Sequence, residues 1–180
     1  MINPQLFSME GLTLKGPLGE PFNGTISDKL KSAGCIINVV ISQIATDDNP
    51  NPKSKSGLAL IDTGSSHCAI SQSVIEELGL VGFDDGIPSV EGMGDYESSP
   101  NYNCSFSFVV SGTTHLYTPQ GVTLVKSFKE EEIALIGRDI LQEFLLLYDG
   151  IHGFYTLAFA KDESFIGSGF HIFEAGDVFP

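Results

Sequence analysis

Apolar residues in this chain come in short runs, often alternating with polar ones and seldom spaced at helical intervals, which predicts strands joined by turns. Cys35-Ile36-Ile37-Asn38-Val39-Val40-Ile41 is β-branched and apolar, and reads as a buried strand. The polar stretch from Thr46 to Gly57, with Asn49-Pro50-Asn51-Pro52 in its middle, reads as an exposed loop before the next apolar run, Leu58-Ala59-Leu60-Ile61. A short strand, Cys68-Ala69-Ile70, leads into a short helix. Ser73 and Glu76 have the spacing of a capping box, Ile75 and Leu78 share a face, and Gly79 suits a left-handed stop.

Cys104-Ser105-Phe106-Ser107-Phe108-Val109 alternates cleanly, with a turn predicted around Gly112-Thr113-Thr114-His115 and further strands at 116–117 and 122–125. The polar, Gly-bearing stretch 89–103 between strand-like segments reads as a long hairpin. An acidic turn then precedes Ile133-Ala134-Leu135-Ile136, read as a buried strand that passes through Gly137 into a short amphipathic helix capped by Asp139. Strands at 144–148 and 154–159 flank Asp149-Gly150, a hairpin signal. Residues 1–33 read as an N-terminal arm with an edge strand, 34–160 as the domain proper, and 161–180 as a C-terminal extension.

A length of 180 residues, 42% of them hydrophobic, with 20 Gly and 9 Pro, fits a single mostly-β domain with short helices. Nine basic against 23 acidic residues leave a net charge of −14, which disfavours nucleic acid and anionic membrane as partners. No run approaches the roughly 18 apolar residues of a membrane span, and the N-terminus lacks a basic region followed by an apolar one. Cys35, Cys68 and Cys104 form no Cys-x-x-Cys pair and read as small buried side chains in a reducing compartment. These features lead us to expect a cytoplasmic protein. The histidines show no metal spacing and the chain carries no phosphate loop or dinucleotide fingerprint, so neither a metal nor a cofactor is expected.

The position that carries chemistry is Asp62. A carboxylate at the end of an apolar strand is costly without partners, and carboxylates in such places gather where acid–base chemistry is done. Asp62-Thr63-Gly64-Ser65 follows one apolar run, and Gly137-Arg138-Asp139 follows a second, Ala134-Leu135-Ile136. Together, in this order, the two segments resemble the retropepsin-like aspartic proteases, the single-domain retroviral type. That family carries Asp-Thr/Ser-Gly-Ala/Ser on one loop and, later, apolar residues before a glycine that often continues as Gly-Arg-Asp/Asn. The resemblance spans roughly residues 34–160.

The resemblance implies a closed β-barrel domain acting as a twofold homodimer, because the chain has one Asp-Thr/Ser-Gly and the chemistry needs two carboxylates. Carboxylates about 3 Å apart share a proton and titrate as a unit. On this reading Asp62 of each protomer is catalytic. Thr63 bonds across the interface, the Gly64 amide faces the carboxylate, and Ser65 either donates to Asp62 or steadies the turn. Gly92, Met93 and Gly94 would form the tip of a flap over a peptide or protein substrate. Gly137, Arg138 and Asp139 would be structural. Two departures stand out. The flap region carries Glu91, Asp95 and Glu97 where viral relatives are apolar, and Ser66 replaces an aspartate that pairs with the arginine. Arg138 therefore needs another partner, either Asp139 or a carboxylate of the second protomer. The expected activity is aspartic endopeptidase. The competing reading is a non-catalytic peptide-binding or assembly domain of the same fold.

Overall fold

The computed structural model describes residues 5–8, 24–83, 100–110, 112–125, 128 and 132–159. The flap residues Gly92, Met93 and Gly94 and the extension at 161–180 lie outside the described residues. Chain order runs β1 (Gln5–Ser8), α1 (Ile26–Ala33), β2 (Cys35–Ser42), β3 (Ser54–Ile61), β4 (Ala69–Ser71), α2 (Gln72–Leu78), β5 (Ser105–Val110), β6 (Thr113–Tyr117), β7 (Thr123–Val125), β8 (Glu132–Ile136), α3 (Arg138–Leu141), β9 (Phe144–Asp149) and β10 (Phe154–Phe159). The fold is mostly β.

Strand β2 is the spine of the larger sheet. Its odd-numbered residues Cys35, Ile37, Val39 and Ile41 point into the core, so the two-residue period of a strand buries one face. The other face carries exposed Asn38 and Val40, so the strand is buried on one side. Antiparallel partners flank it, β3 from Cys35↔Ile61 to Ser42↔Ser54 and β5 from Val40↔Ser107 to Ser42↔Ser105. The predicted loop is thereby shortened, because Ser54 to Gly57 extend β3.

The feature that builds the site is the placement of β8. Strands β3 and β4 follow one another in sequence but do not pair. Instead β8 lies between them, parallel to β3 (Ala59↔Ala134, Ile61↔Ile136) and antiparallel to β4 (Ala69↔Leu135). Residues 62–68 must therefore cross over the end of β8, where Gly137 begins. All three strands supply fully buried side chains here, among them Ala59, Ile70, Ala134 and Ile136.

The larger sheet has the order β6-β5-β2-β3-β8-β4-β7, and a smaller one the order β1-β10-β9. Among the described residues no ladder joins β6 to β7, so the seven strands form an open sheet, and the barrel closure expected from the resemblance is not seen in the single chain. β7 is only three residues long, and the chain next to it is met by a single bridge, Tyr102↔Val122. The two sheets share one core, in which Tyr155 and Leu157 of β10 join Phe106, Phe108 and Ile41. The Tyr155 hydroxyl also donates to the Ile36 carbonyl. Within the stretch expected as an arm, β1 pairs with β10, and α1 sends Leu30 and Ala33 into the core.

Helix ends differ from expectation in two places. The N-cap of α2 is Ser71, whose side chain makes no capping bond, so the Ser73/Glu76 box is not formed; the C-terminal Gly79 is left-handed as predicted, at φ 64°. The N-cap of α3 is Gly137 and not Asp139, which sits inside the first turn with its side chain engaged elsewhere. A reciprocal capping box does occur at α1, between Thr25 and Asp28.

Candidate active site

Asp62 leaves β3 with its amide still bonded to Ile136 O at 3.0 Å, which prolongs the parallel ladder by one residue. The side chain then turns back. Its Oδ1 accepts the Gly64 amide at 2.8 Å, and the Ser65 amide donates to Asp62 O at 3.3 Å, closing a tight turn. Asp62 is half-buried, while Thr63 and Gly64 are exposed. Among the described residues only Oδ1 is engaged, which leaves Oδ2 open. A Cβ on Gly64 would stand 3.0 Å from Oδ1, so the glycine keeps room for the carboxylate.

The Ser65 hydroxyl does not bond to Asp62. The side chain is buried, and the hydroxyl donates to His67 O at 2.7 Å; a hydroxyl has one proton, and here it steadies the later part of the loop.

The segment after β8 holds the loop from the other side. Arg138 N donates to Ser65 O at 2.9 Å and Asp139 N to Ser66 O at 3.3 Å. The Arg138 guanidinium gives one nitrogen to two carbonyls, Thr63 O at 2.9 Å and Gly64 O at 3.2 Å. With Ser66 lacking a carboxylate, the arginine has found backbone oxygen; its expected alternative, Asp139, is taken by Cys68. Asp139 Oδ2 accepts the Cys68 amide at 2.8 Å, and Oδ1 accepts the Cys68 thiol at 3.0 Å and the Ile140 amide at 2.9 Å. Gly137 N reaches the Cys68 sulfur at 3.4 Å. Gly137 itself is packed against the His67 backbone, where a Cβ would stand 2.5 Å from the carbonyl carbon.

The three cysteines are buried free thiols. Burial pushes Cys35 up to about 11 and Cys104 up to about 12. Cys68 is raised further, by burial first and then by the neighbouring Asp139 carboxylate, so it stays a thiol and acts as a donor. Cys35 and Cys104 fit the reading of small core side chains. Cys68 is also a hydrogen-bonding member of the loop lock, which nothing in the sequence signalled.

The structure thus brings Asp62, Thr63, Gly64 and Ser65 together with Gly137, Arg138 and Asp139, more than 70 residues away in sequence. A concavity of about 490 Å³ opens elsewhere, lined by Lys55, Leu58, Ser73 and Glu132, none of them a predicted site residue. Among the described residues no group of His, Cys, Asp or Glu is placed to hold a metal ion, and no helix is long and apolar enough to cross a membrane. The chain matches no known protein-family model and no curated protein.

Proposed function

We propose that this chain is a retropepsin-like aspartic endopeptidase that works as a twofold homodimer, with Asp62 of each protomer forming the acid–base pair. The observation that carries this reading is the arrangement around β8. An Asp-Thr-Gly loop at the end of one strand is locked to a Gly-Arg-Asp segment at the end of its parallel neighbour, with the Gly64 amide on Asp62 and Oδ2 left open.

In the dimer, one carboxylate takes a proton from water as the oxygen attacks the scissile carbonyl carbon, and the other gives its proton to the carbonyl oxygen. Collapse of the resulting diol breaks the C–N bond, with a proton passing to the amine. The exposed Thr63 is available to bond across the twofold axis. Gly92, Met93 and Gly94 cover a peptide or protein substrate. Buried free thiols fit a reducing, cytoplasmic setting.

The test is cleavage of denatured protein from pH 4 to 7 by wild type and Asp62→Asn, with sedimentation of the same samples. Asn preserves shape and can still accept the Gly64 amide, but it removes the ionisable pair. Cleavage confined to a wild-type dimer supports the reading. Two dimers that never cut would make the chain a peptide-binding or assembly domain.

A further inference from the structure

The Asp62 loop has two ends, and a different device fixes each. At Asp62 the device is the backbone ladder, through Ile136 O. At Cys68 it is a side chain, the Asp139 carboxylate, on which three donors converge: the amide and thiol of Cys68 and the amide of Ile140. An ionised carboxylate only accepts, so it satisfies all three together. Cys68 is 0% exposed, so water cannot replace any partner it loses. Its sulfur also takes the Gly137 amide, coupling the carboxylate to the start of α3. Between the two ends the loop is spanned by Arg138, on the Thr63 and Gly64 carbonyls.

We propose that Asp139 is a positioning residue for Asp62, acting through Cys68: its carboxylate anchors the far end of the loop and so sets the angle at which Asp62 meets its partner. The catalytic half of this statement rests on the endopeptidase reading; the geometric half does not. Asparagine, which the resembled family also carries at this place, is the informative replacement here because in this chain a backbone amide sits on each of the two carboxylate oxygens. It matches aspartate in size, but its amide group must face either the Cys68 amide or the Ile140 amide, setting donor against donor.

The experiment compares wild type, Asp139→Asn, Cys68→Ser and Cys68→Ala as full chains, by cleavage kinetics across pH and by NMR of the Gly64 amide. That amide donates to Asp62, so its shift follows ionisation of the carboxylate. Asp139→Asn is expected to keep the dimer and a cooperative melt and to lose about 100-fold in kcat with KM little changed. Its pH–rate profile should move, and the pH-dependent Gly64 shift should shrink. Cys68→Ser, whose hydroxyl donates to the same oxygen, is expected to behave as wild type, and Cys68→Ala to fall between. An Asp139→Asn protein with unaltered Gly64 titration and pH profile overturns the proposal. If that variant does not fold, identical Gly64 titrations in Cys68→Ala and Cys68→Ser overturn it. If wild type cuts nothing while Gly64 responds as expected, the positioning role stands and the endopeptidase reading falls.

Discussion

Adding one methyl group at Gly137 tests the lock most directly. The residue has φ −89° and ψ −177°, backbone that any residue adopts, so glycine is required for space and not for conformation. A Cβ there would lie 2.5 Å from His67 C and 3.0 Å from His67 N, with the His67 oxygen nearer still. These are backbone atoms, which cannot rotate aside as a side chain can. Restoring ordinary contact needs a separation of at least about 3.5 Å, hence a shift of about 1 Å between the loop and α3. The bond from Arg138 N to Ser65 O, now 2.9 Å, and that from Asp139 N to Ser66 O, now 3.3 Å, would both pass out of range. Two such bonds contribute about 0.5–1.5 kcal/mol each, and overpacking by a methyl costs about 1–3 kcal/mol. Gly137→Ala should therefore destabilise by about 2–6 kcal/mol, a fall in melting midpoint of about 4–24 °C for a domain of this size. Gly79→Ala is the control: φ is +64° with open space around the Cβ, so its cost is conformational, about 1–2 kcal/mol. Thermal and urea unfolding followed by circular dichroism rank the two. A Gly137→Ala protein milder than Gly79→Ala, or within about 0.5 kcal/mol of wild type, would refute the packing argument.

Two further substitutions probe the joint between the sheets. Tyr155→Phe keeps the buried ring but removes the bond to Ile36 O, and should cost about 1 kcal/mol, or about 2–4 °C in melting midpoint; no change would show that the hydroxyl adds nothing. His115 stacks with Phe108 and Tyr117 and meets Phe144 edge-on, and its pKa is held below 6.5 by burial, with Glu143 pulling the other way. The unfolded chain therefore binds this proton first as pH falls through about 6.5, and stability is lost from there down to the lower folded value. His115→Phe keeps the packing without the proton, so its loss of melting midpoint between pH 7.5 and 5.5 should be smaller than that of wild type. An equal loss in both proteins excludes His115 as the source.

Local pattern carried much of this structure. The alternation of Phe106 and Phe108 gave β5, Asp149-Gly150 gave the β9–β10 hairpin, and Gly79 gave the end of α2. Such signals are written in neighbouring residues, and they survive folding because they answer to backbone geometry. The insertion of β8 between β3 and β4 is a choice of partner across more than 60 residues, and no local period encodes it. The two halves of the site were legible as separate motifs only, joined by resemblance. Asp139 had the right address and another partner, and of the two roles open to Ser65 the fold selects the turn-steadying one, since a hydroxyl or carboxylate takes whichever donor or acceptor the fold brings nearest. Helix α1 was missed although its signal was present: Thr25 with Asp28 three residues on, and Leu30 and Ala33 on one face.

The loop geometry has a consequence for assembly. Asp62 is held by bonds within one chain, to Ile136, Gly64 and through Arg138, so a dimer would not have to order the loop as it forms. What opposes association is charge, since each protomer brings −14. Repulsion between like-charged bodies is screened by salt over about 10 Å at 0.1 M, and it fades as surface carboxylates protonate. Dimerisation should therefore tighten from 0.05 to 0.5 M salt and from about pH 6 to about pH 4.5, where carboxylates begin to protonate, and cleavage should follow it. The acid trend runs against the loss of chain stability expected from His115, which separates the two effects: sedimentation reports the first, melting at fixed salt the second. Association that is tightest at neutral pH and low salt would mean that the facing surfaces carry complementary charge, and the repulsion argument would then fail.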